Sequence, residues 1–347
     1  MQNQPLVSVN MVVYNGMHWL EKCLDSLLNQ TYPNIEILIL DNGSKDGSRK
    51  WLQDFTSKYE KIRLVLNEKN LGFASAHNIG IKMAKGKFVC LLNQDIILDE
   101  QFIANALTGF VFGNTDNARI AAVQSKLCRL TQNLKKTNIL DSTGLVILKN
   151  RRVISRGQGQ EDRGQYEQRK FIFGADGALP LYSKEALEDI KIPTANGEWE
   201  YFDEDYFMYK EDVDLAWRFI LFGWRTVYIP EAKAWHARGA GESAARSSMA
   251  IIKERRKVPS WTKFYSWKNQ RLMQVKNESS ALFIKHLPLI LWKEFRSLLY
   301  IIFLEPQNLK AIPAFIMQFP KALRKRSYIT RHKRINDNEM NQWFNQT

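Results

Sequence analysis

Short apolar runs alternate with segments of helical periodicity along the first hundred residues. Leu6 to Val13 is a run rich in β-branched residues, which predicts a strand, and apolar residues then recur at helical spacing from Trp19 to Leu28. The same alternation predicts strands over 35–40, 62–66 and 88–92, and helices over 46–59, capped by Asp46, and 74–84. This pattern indicates a mostly parallel sheet covered by helices on both faces, an α/β fold.

Polar residues follow three of these strands at the point where each strand ends. Tyr14 and Asn15 follow the first strand, Asp41 follows the second, and Asn93 and Asp95 follow the fourth. Because ligands bind at the carboxyl ends of parallel strands, we expect these segments to converge on one crevice. Taken singly, each segment is equally typical of a turn.

A second feature is an acidic segment with aromatic residues between its carboxylates. It contains Asp203, Glu204, Asp205, Glu211, Asp212 and Asp214. Carboxylates held among apolar groups can have raised pKa values or bind a cation. Glu211 and Asp212 open a predicted helix, where their charges would complement the helix dipole. Asp212 can do this and still act as a general base.

Asp95 and His236 are the candidate ligands of a divalent cation. Mg²⁺ takes oxygen ligands, commonly one or two carboxylates together with substrate phosphates, and neutral imidazole suits Mn²⁺. A lone histidine is more often structural, so this prediction depends on Asp95 lying close to His236. The chain carries no dinucleotide glycine fingerprint, P-loop, HExxH or GxSxG motif, which disfavours hydride transfer and P-loop phosphoryl transfer.

The residue composition of the chain changes near residue 245, after which basic residues are mixed with aromatic and apolar ones. We therefore predict one domain over 1–245 and a helical, basic and aromatic region over 246–347, divided into short helices by Pro259, Pro288, Pro306, Pro313 and Pro320. The polar stretch 149–170 is typical of a mobile loop that orders on substrate binding.

The net charge of +14 belongs almost wholly to the C-terminal part, where residues 251–347 hold 19 Lys and Arg against 6 Asp and Glu. Basic and aromatic residues on short helices are typical of an interfacial membrane segment. Packing of the tail on the catalytic domain or on a second subunit, and binding to nucleic acid, are the alternatives.

The three cysteines, Cys23, Cys90 and Cys128, have no CxxC spacing, so we expect neither a disulfide framework nor a zinc site. The N-terminus shows no signal peptide, and the best apolar run, near 287–304, is interrupted by charges. These features favour a cytoplasmic protein, peripheral on the cytoplasmic face of the membrane.

The order of the motifs resembles family 2 glycosyltransferases, most closely their rhamnosyltransferase-like branch. The resemblance covers about residues 6–245 and rests on Val7-Ser8-Val9 through Tyr14-Asn15, Asp41-Asn42-Gly43-Ser44, Asn70-Leu71-Gly72-Phe73-Ala74 with Asn78, Asn93-Gln94-Asp95, Phe173-Gly174-Ala175, and Phe202-Asp203-Glu204 through Leu215 with His236. It implies a GT-A fold and an inverting transfer from a nucleoside-diphosphate sugar to a hydroxyl, with Mg²⁺ or Mn²⁺ on the diphosphate.

The resemblance also implies roles for particular residues. Asp212 would be the general base with Glu211 beside it, and Asp95 and His236 would bind the metal. The residues expected to bind the nucleotide sugar are Tyr14, Asn15, Asp41, Asn42, Asn70, Asn78, Asn93 and Asp176. Asn93 departs from the family's usual Asp, so one negative charge is missing near the metal.

The expected donor is dTDP-rhamnose, and the expected acceptor is a lipid-linked or polysaccharide hydroxyl in cell-surface glycan synthesis. A homo-oligomer is also consistent with the sequence. One alternative is a nucleic-acid-binding protein that uses the basic tail. A sugar nucleotidyltransferase is the other, although the Gly-rich basic loop that it would need after the first strand is absent.

Overall fold

The computed structural model describes residues 4–112, 118–238 and 248–345. The strands are β1 Val7–Val13, β2 Ile35–Asp41, β3 Ile62–Leu66, β4 Phe88–Asn93, β5 Ile96–Leu98, β6 Ile120–Leu130, β7 Lys136–Ser142, β8 Leu145–Ile147, β9 Val153–Ser155, β10 Lys170–Ile172, β11 Pro180–Ser183, β12 Ile192–Pro193, β13 Trp199–Glu200 and β14 Arg225–His236. The helices are α1 Met17–Leu28, α2 Ser48–Thr56, α3 Gly72–Met83, α4 Phe102–Phe112, α5 Lys184–Ile190, α6 Glu211–Leu221, α7 Ser248–Lys257, α8 Ser260–Asn277, α9 Ser280–Lys285, α10 Leu287–Leu304, α11 Ala311–His332 and α12 Asp337–Asn341.

The predicted N-terminal half is confirmed in order and type. Strands β1 to β4 pair in the parallel order β3-β2-β1-β4, and helices lie between them. Helix α2 ends at Thr56, earlier than the predicted Tyr59. Asp46 accepts a hydrogen bond from the backbone N–H of Ser48 (3.1 Å) at the start of that helix. The N-cap position itself is Gly47, which has a φ of 98°.

The second half of the large sheet is mixed. It continues from β4 through β11, β6 and β14 to β10, and both β11 and β10 run antiparallel to their neighbours. Most of these strands have no helix between them, so the alternation seen in the N-terminal half does not indicate them.

The register of the parallel strands brings the predicted polar ends to one edge. Val12 of β1 is paired with Asn93 of β4, and Val13 is paired with Asp41 of β2. Tyr14, Asp41 and Asn93 therefore lie along the same carboxyl edge of the sheet.

Apolar clusters cover the two faces of the sheet. One cluster packs β1 and β4 against α1 and α4. The other packs α3, α5 and α6 on the opposite face together with residues of the C-terminal helices, including Leu272, Met273, Ile329 and Phe344. The C-terminal helices therefore complete the hydrophobic core on that face.

One prediction about the C-terminal part is wrong, and a second concerns residues that the structure does not describe. Pro320 lies inside α11 and Pro313 in its first turns, so neither proline divides two helices. The predicted boundary at residue 245 lies outside the described residues. Among the residues described, no helix combines the length and the apolar character needed to cross a bilayer.

The stretch 149–170 is more structured than predicted. It contains β9, which pairs with β8, and Arg151, which is fully buried with a φ of 65° and bonded to Glu278 of the segment after α8. The loop prediction is therefore wrong for this part, because the period-two pattern of so short a strand is hidden among polar residues. Ordering on substrate binding stays a prediction.

Candidate active site

A cleft of about 400 Å³ opens at the carboxyl edge of the sheet. Six of the residues singled out from the sequence line it together: Asn93, Asp95, Asp176, Glu211, Asp212 and His236. They come from β4, the segment before β5, the loop before β11, the start of α6 and the end of β14. The convergence predicted for Asp95, His236 and Asp212 is what the structure shows.

Strand pairing brings Asp95 and His236 together. His236 ends β14 opposite Ile96 of β5, and Asp95 immediately precedes that strand. The distance from Asp95 Oδ1 to His236 Nε2 is 3.5 Å. Ligands at about 2.1 Å from a cation in octahedral geometry lie about 3 Å apart, so this pair fits two adjacent positions around one metal ion.

A carboxylate missing from the sequence prediction holds His236 in place. Asp141, fully buried at the end of β7, lies 2.8 Å from His236 Nδ1 and 3.2 Å from Arg238. A carboxylate on Nδ1 fixes the proton there and leaves Nε2 facing Asp95, as is usual for metal-bound histidines. The sequence signal that could have indicated Asp141 is its position directly after two apolar residues, Ile139 and Leu140.

The charges of this group are strongly coupled. Burial opposes a charged His236, but Asp95 and Asp141 outweigh it and raise the pKa of His236 to about 10. Burial would raise the pKa of Asp95, yet the neighbouring imidazolium lowers it. Within the described residues no three His, Cys, Asp or Glu side chains are arranged as a complete metal cage. A cation here would therefore need ligands from a substrate, such as phosphate oxygens.

Asp212 lies at the start of α6 beside Asp176. Its Oδ2 accepts a hydrogen bond from Gly177 N–H (3.1 Å) and its Oδ1 one from Val213 N–H (2.8 Å). Burial and the charge of Asp176 together raise the pKa of Asp212. Burial and the charge of Asp212 likewise raise the pKa of the adjacent Glu211 well above its ordinary value. Such raised carboxyl pKa values are typical of general bases.

The loop that leads into α6 has a strained backbone. Phe207, Tyr209 and Lys210 have φ values of 63°, 69° and 74°, a region that side chains rarely adopt. Gly72 meets this loop at the start of α3, where a Cβ would lie 2.5 Å from the Phe207 carbonyl oxygen. Only glycine permits that approach.

The C-terminal helices hold this loop and the acidic segment. Asn269 of α8 donates hydrogen bonds to the carbonyl oxygens of Tyr206 (2.9 Å), Met208 (2.8 Å) and Tyr209 (2.8 Å). These three bonds compensate for the left-handed conformation that the loop adopts before Asp212.

Buried lysines of the tail neutralise the carboxylates that do not line the cleft. Lys276 of α8 is fully buried between Asp203 (2.5 Å) and Asp214 (2.9 Å). Lys325 of α11 lies 2.5 Å from Asp203 and 3.0 Å from Asp205. Part of the basic excess of the tail is therefore internal, and the tail packing that the sequence offered as an alternative does occur.

The remaining predicted ligands lie along the same edge but outside this cleft. The backbone N–H of Tyr14 is bonded to Gln94 (2.9 Å) and that of Asn15 to Ser44 (2.9 Å). Asp41 is fully buried and pairs with Arg49 at 2.7 Å.

The amides of the two remaining edge residues are bonded to each other. The distance from Asn42 Nδ2 to Asn70 Oδ1 is 3.0 Å. Asn42 also accepts a hydrogen bond from the backbone N–H of Leu71 (3.1 Å), so the pair fixes the start of α3 at this edge of the sheet.

Asn78 lies deeper in α3 and is fully engaged by the protein. Its amide donates to the Phe202 carbonyl (2.8 Å) and to Glu204 (2.9 Å), and its Oδ1 accepts from Phe202 N–H (2.9 Å). It does not line the cleft and joins α3 to the acidic segment.

The chain matches the sequence profile of the family described as Glycosyl transferase family 2 over residues 8–191. It therefore belongs to this family, as the resemblance predicted. This membership favours the predicted family over the two alternative classes. The rhamnosyltransferase-like branch stays a prediction.

The chain is similar to parts of several curated proteins. A poly-beta-1,6-N-acetyl-D-glucosamine synthase from Staphylococcus epidermidis is 27% identical over 237 residues, which cover 66% of this chain and 49% of that protein. The first two curated relatives match over 33% and 39% of their own lengths. The chain thus spans about half or less of these relatives.

Two solved structures share the fold over most of the chain. S. aureus TarS 1-349 in complex with UDP-GlcNAc has a TM-score of 0.55 at 16% identity and covers 92% of this chain and 82% of its own. The mannosyltransferase PcManGT from Pyrobaculum calidifontis, in complex with GDP-Man and Mn²⁺, has a TM-score of 0.50 at 15% identity and covers 99% and 89%. The predicted GT-A fold, a largely parallel sheet flanked by helices with further C-terminal helices, is confirmed.

Proposed function

We propose that the chain transfers a sugar, with inversion, from a nucleoside-diphosphate donor to an acceptor hydroxyl. The observation that carries this proposal is the single cleft that joins the Asp95–His236 pair to Asp212. A site for the donor's diphosphate and a buried carboxylate for the acceptor are the two groups that such a transfer needs.

A divalent cation, Mg²⁺ or Mn²⁺, would be held by Asp95 and His236, with Asp141 orienting the imidazole. When bound, it would supply positive charge to the leaving diphosphate. Asn93 lines the same wall and offers a neutral amide to the donor, where an aspartate would add a negative charge.

Asp212 acts as the general base in this proposal. It takes the proton of the acceptor hydroxyl while that oxygen attacks the anomeric carbon on the face opposite the leaving diphosphate. One in-line displacement inverts the anomeric centre. Burial and the charge of Asp176 raise the pKa of Asp212 and so keep it basic, with Glu211 beside it.

The nucleoside would lie beyond the cleft along the sheet edge, toward Tyr14, Asn15, Asp41, Asn42 and Asn70. The first donor to test is dTDP-rhamnose, from the branch that the motifs resemble. UDP-GlcNAc and GDP-Man are the next, since TarS and PcManGT carry them.

A thermal-shift panel of these three nucleotide sugars, each with and without Mn²⁺, tests the proposal. A donor present at about 100 times its Kd stabilises a protein by about 2.7 kcal/mol, so we expect one donor to raise Tm in the presence of Mn²⁺. In Asp141→Asn the Mn²⁺-dependent part of the shift should require about 10- to 100-fold more metal. Asp54→Asn, an exposed change of the same charge on α2, is the control. No shift with any nucleotide sugar would contradict the proposal.

We also propose that the C-terminal helices contact an anionic membrane that carries the acceptor. Large apolar side chains are exposed on α10 and α11, among them Trp292 (60%), Phe295 (53%), Phe303 (75%) and Met317 (79%). Exposed apolar patches beside basic residues are typical of interfacial helices. In this proposal the chain works at the cytoplasmic face of that membrane.

Flotation with anionic liposomes tests the membrane contact. The double variant Leu289→Ser/Met317→Ser should float less than the wild type, whereas Val111→Ser should float like it. Val111, on α4, is 65% exposed, between Leu289 (49%) and Met317 (79%). Equal flotation of all three proteins would remove the membrane contact from the proposal. A truncation at residue 250 is not a suitable variant, because it would remove core residues such as Met273.

A further inference from the structure

A second cavity lies among the C-terminal helices, outside the candidate active site. It has a volume of about 630 Å³, which is within the usual range for small-molecule sites. One wall is apolar and consists mainly of Trp292, Leu299, Phe303 and Leu304 of α10. These four side chains are 38% to 75% exposed, so this wall is continuous with the exposed apolar face of α10.

Four cations line the same cavity, and no carboxylate is among the described residues that line it. They are Arg152, Arg255, Lys293 and Arg296. Two carboxylates lie behind the wall, and each is shared between two cations. Glu305 pairs with Arg255 (2.7 Å) and Lys263 (2.8 Å), and Glu294 pairs with Lys293 (2.5 Å) and Arg271. The described residues in and behind the walls of the cavity thus include six cations and two carboxylates.

Helix α8 joins the border of this cavity to the loop that leads into the active-site cleft. Asn269 donates a hydrogen bond to the Tyr209 carbonyl (2.8 Å), and Tyr209 lines the cleft. The next residue, Gln270, donates a hydrogen bond to the Arg151 carbonyl (2.8 Å), and Arg151 directly precedes Arg152 of the cavity. Consecutive residues of one helix thus bind a segment of each site, so the cavity and the cleft are neighbours.

We propose that this cavity binds the lipid phosphate of a single-chain lipid-linked acceptor. The phosphate would lie against Arg152, Lys293 and Arg296, and the hydrocarbon chain would lie along Trp292, Leu299 and Phe303. This inference rests on the proposed transferase function and specifies its acceptor class. A phosphate held here would leave the attached acceptor free to extend toward Asp212 in the neighbouring cleft.

The apolar wall and the cations of the cavity together favour a lipid phosphate as its ligand. A soluble polysaccharide is recognised through its hydroxyl groups and gains little from a wall of exposed leucine and phenylalanine. A second nucleotide sugar would have no use for a hydrocarbon surface. An amphiphile with one anionic group matches both walls, because burial of apolar surface stabilises the chain and charge-assisted bonds hold the phosphate.

Calorimetric titration of the full-length chain with decyl phosphate, below its micelle concentration, tests the proposal. We expect one saturable site, with decanol and inorganic phosphate each binding at least about tenfold more weakly. Arg296→Ala should weaken decyl phosphate binding about tenfold. Arg324→Ala, an equally exposed arginine on α11 that lines a different cavity, should leave it unchanged.

Three outcomes would overturn the proposal: equal binding of decanol, equal loss in the two arginine variants, or equal binding of the two-chain lipid dihexanoyl-phosphatidylglycerol. The last result would assign the cavity to bilayer lipid. The thermal shift with nucleotide sugars reports on the transferase separately. If a nucleotide sugar raises Tm but decyl phosphate does not bind, only the lipid site is rejected. If decyl phosphate binds but no nucleotide sugar raises Tm, the transferase function is rejected and the lipid site stands.

Discussion

Asp212 combines a position in the cleft with an environment that keeps it basic. The backbone N–H groups of Gly177 and Val213 orient its two oxygens, and burial beside Asp176 raises its pKa. Orientation and basicity thus come from different neighbours and can be tested separately.

The first prediction concerns turnover. Asp212→Asn preserves the size of the side chain and removes the base, so kcat should fall by about 10²-fold or more. Donor binding, measured by thermal shift, should be nearly unchanged. A variant with near wild-type kcat would exclude Asp212 as the base.

The second prediction concerns pH. The base must be ionised, so kcat/KM is retained above the raised pKa of Asp212 and lost as the pH falls through it. Asp176→Asn removes a charge that raises this pKa, so the acid limb of the kcat/KM profile should move to lower pH. The profile of Asp54→Asn should coincide with the wild type, and an unmoved limb in Asp176→Asn would contradict the assigned coupling.

At the scale of elements, the loop before α6 depends on a helix that is remote in sequence. Three of its residues have left-handed backbone conformations, and Asn269 of α8 bonds three of its carbonyl oxygens. Strain of this kind persists only where surrounding structure compensates for it.

The third prediction is that Asn269→Ala impairs both stability and chemistry. Leaving buried carbonyls without a donor should cost about 2 kcal/mol or more, and displacement of the α6 start should lower kcat about 10- to 100-fold. Gln270→Ala removes an amide from the same helix that bonds Arg151 and not the loop, so its kcat should stay near the wild-type value. Equal kcat in both variants would limit Asn269 to general packing.

At the scale of the whole molecule, the charge asymmetry of the chain is partly an internal pairing. Lys276 and Lys325 meet the acidic segment in the interior, while other cations line the cavity among the C-terminal helices. The basic tail therefore stabilises the catalytic core and also presents a charged surface.

The fourth prediction tests that pairing. Lys276→Met should lower the free energy of unfolding by about 3 kcal/mol, because Asp203 and Asp214 lose a buried partner. Lys257→Met, on an exposed part of α7, should change it by less than about 0.5 kcal/mol. Urea denaturation measures both, and similar stabilities would show that Lys276 is dispensable.

The sequence by itself determined the parallel half of the sheet, the family and six residues of the cleft. Local hydrophobic periodicity specifies β1 to β4, and residues that directly follow buried strands, such as Asp41 and Asp95, must lie at their carboxyl ends. Both signals are local, so they can be read without the fold.

Only the tertiary structure decided which distant groups meet. Asp141 reaches His236 through strand pairing, Asn269 and Lys276 reach the catalytic segment through helix packing, and Asn78 is engaged in the interior. The sequence shows such residues as single polar positions in ordinary helices or strands. Their roles follow from long-range packing, which brings together groups separated by 95 positions in the case of Asp141 and His236, and by 124 in the case of Asn78 and Phe202.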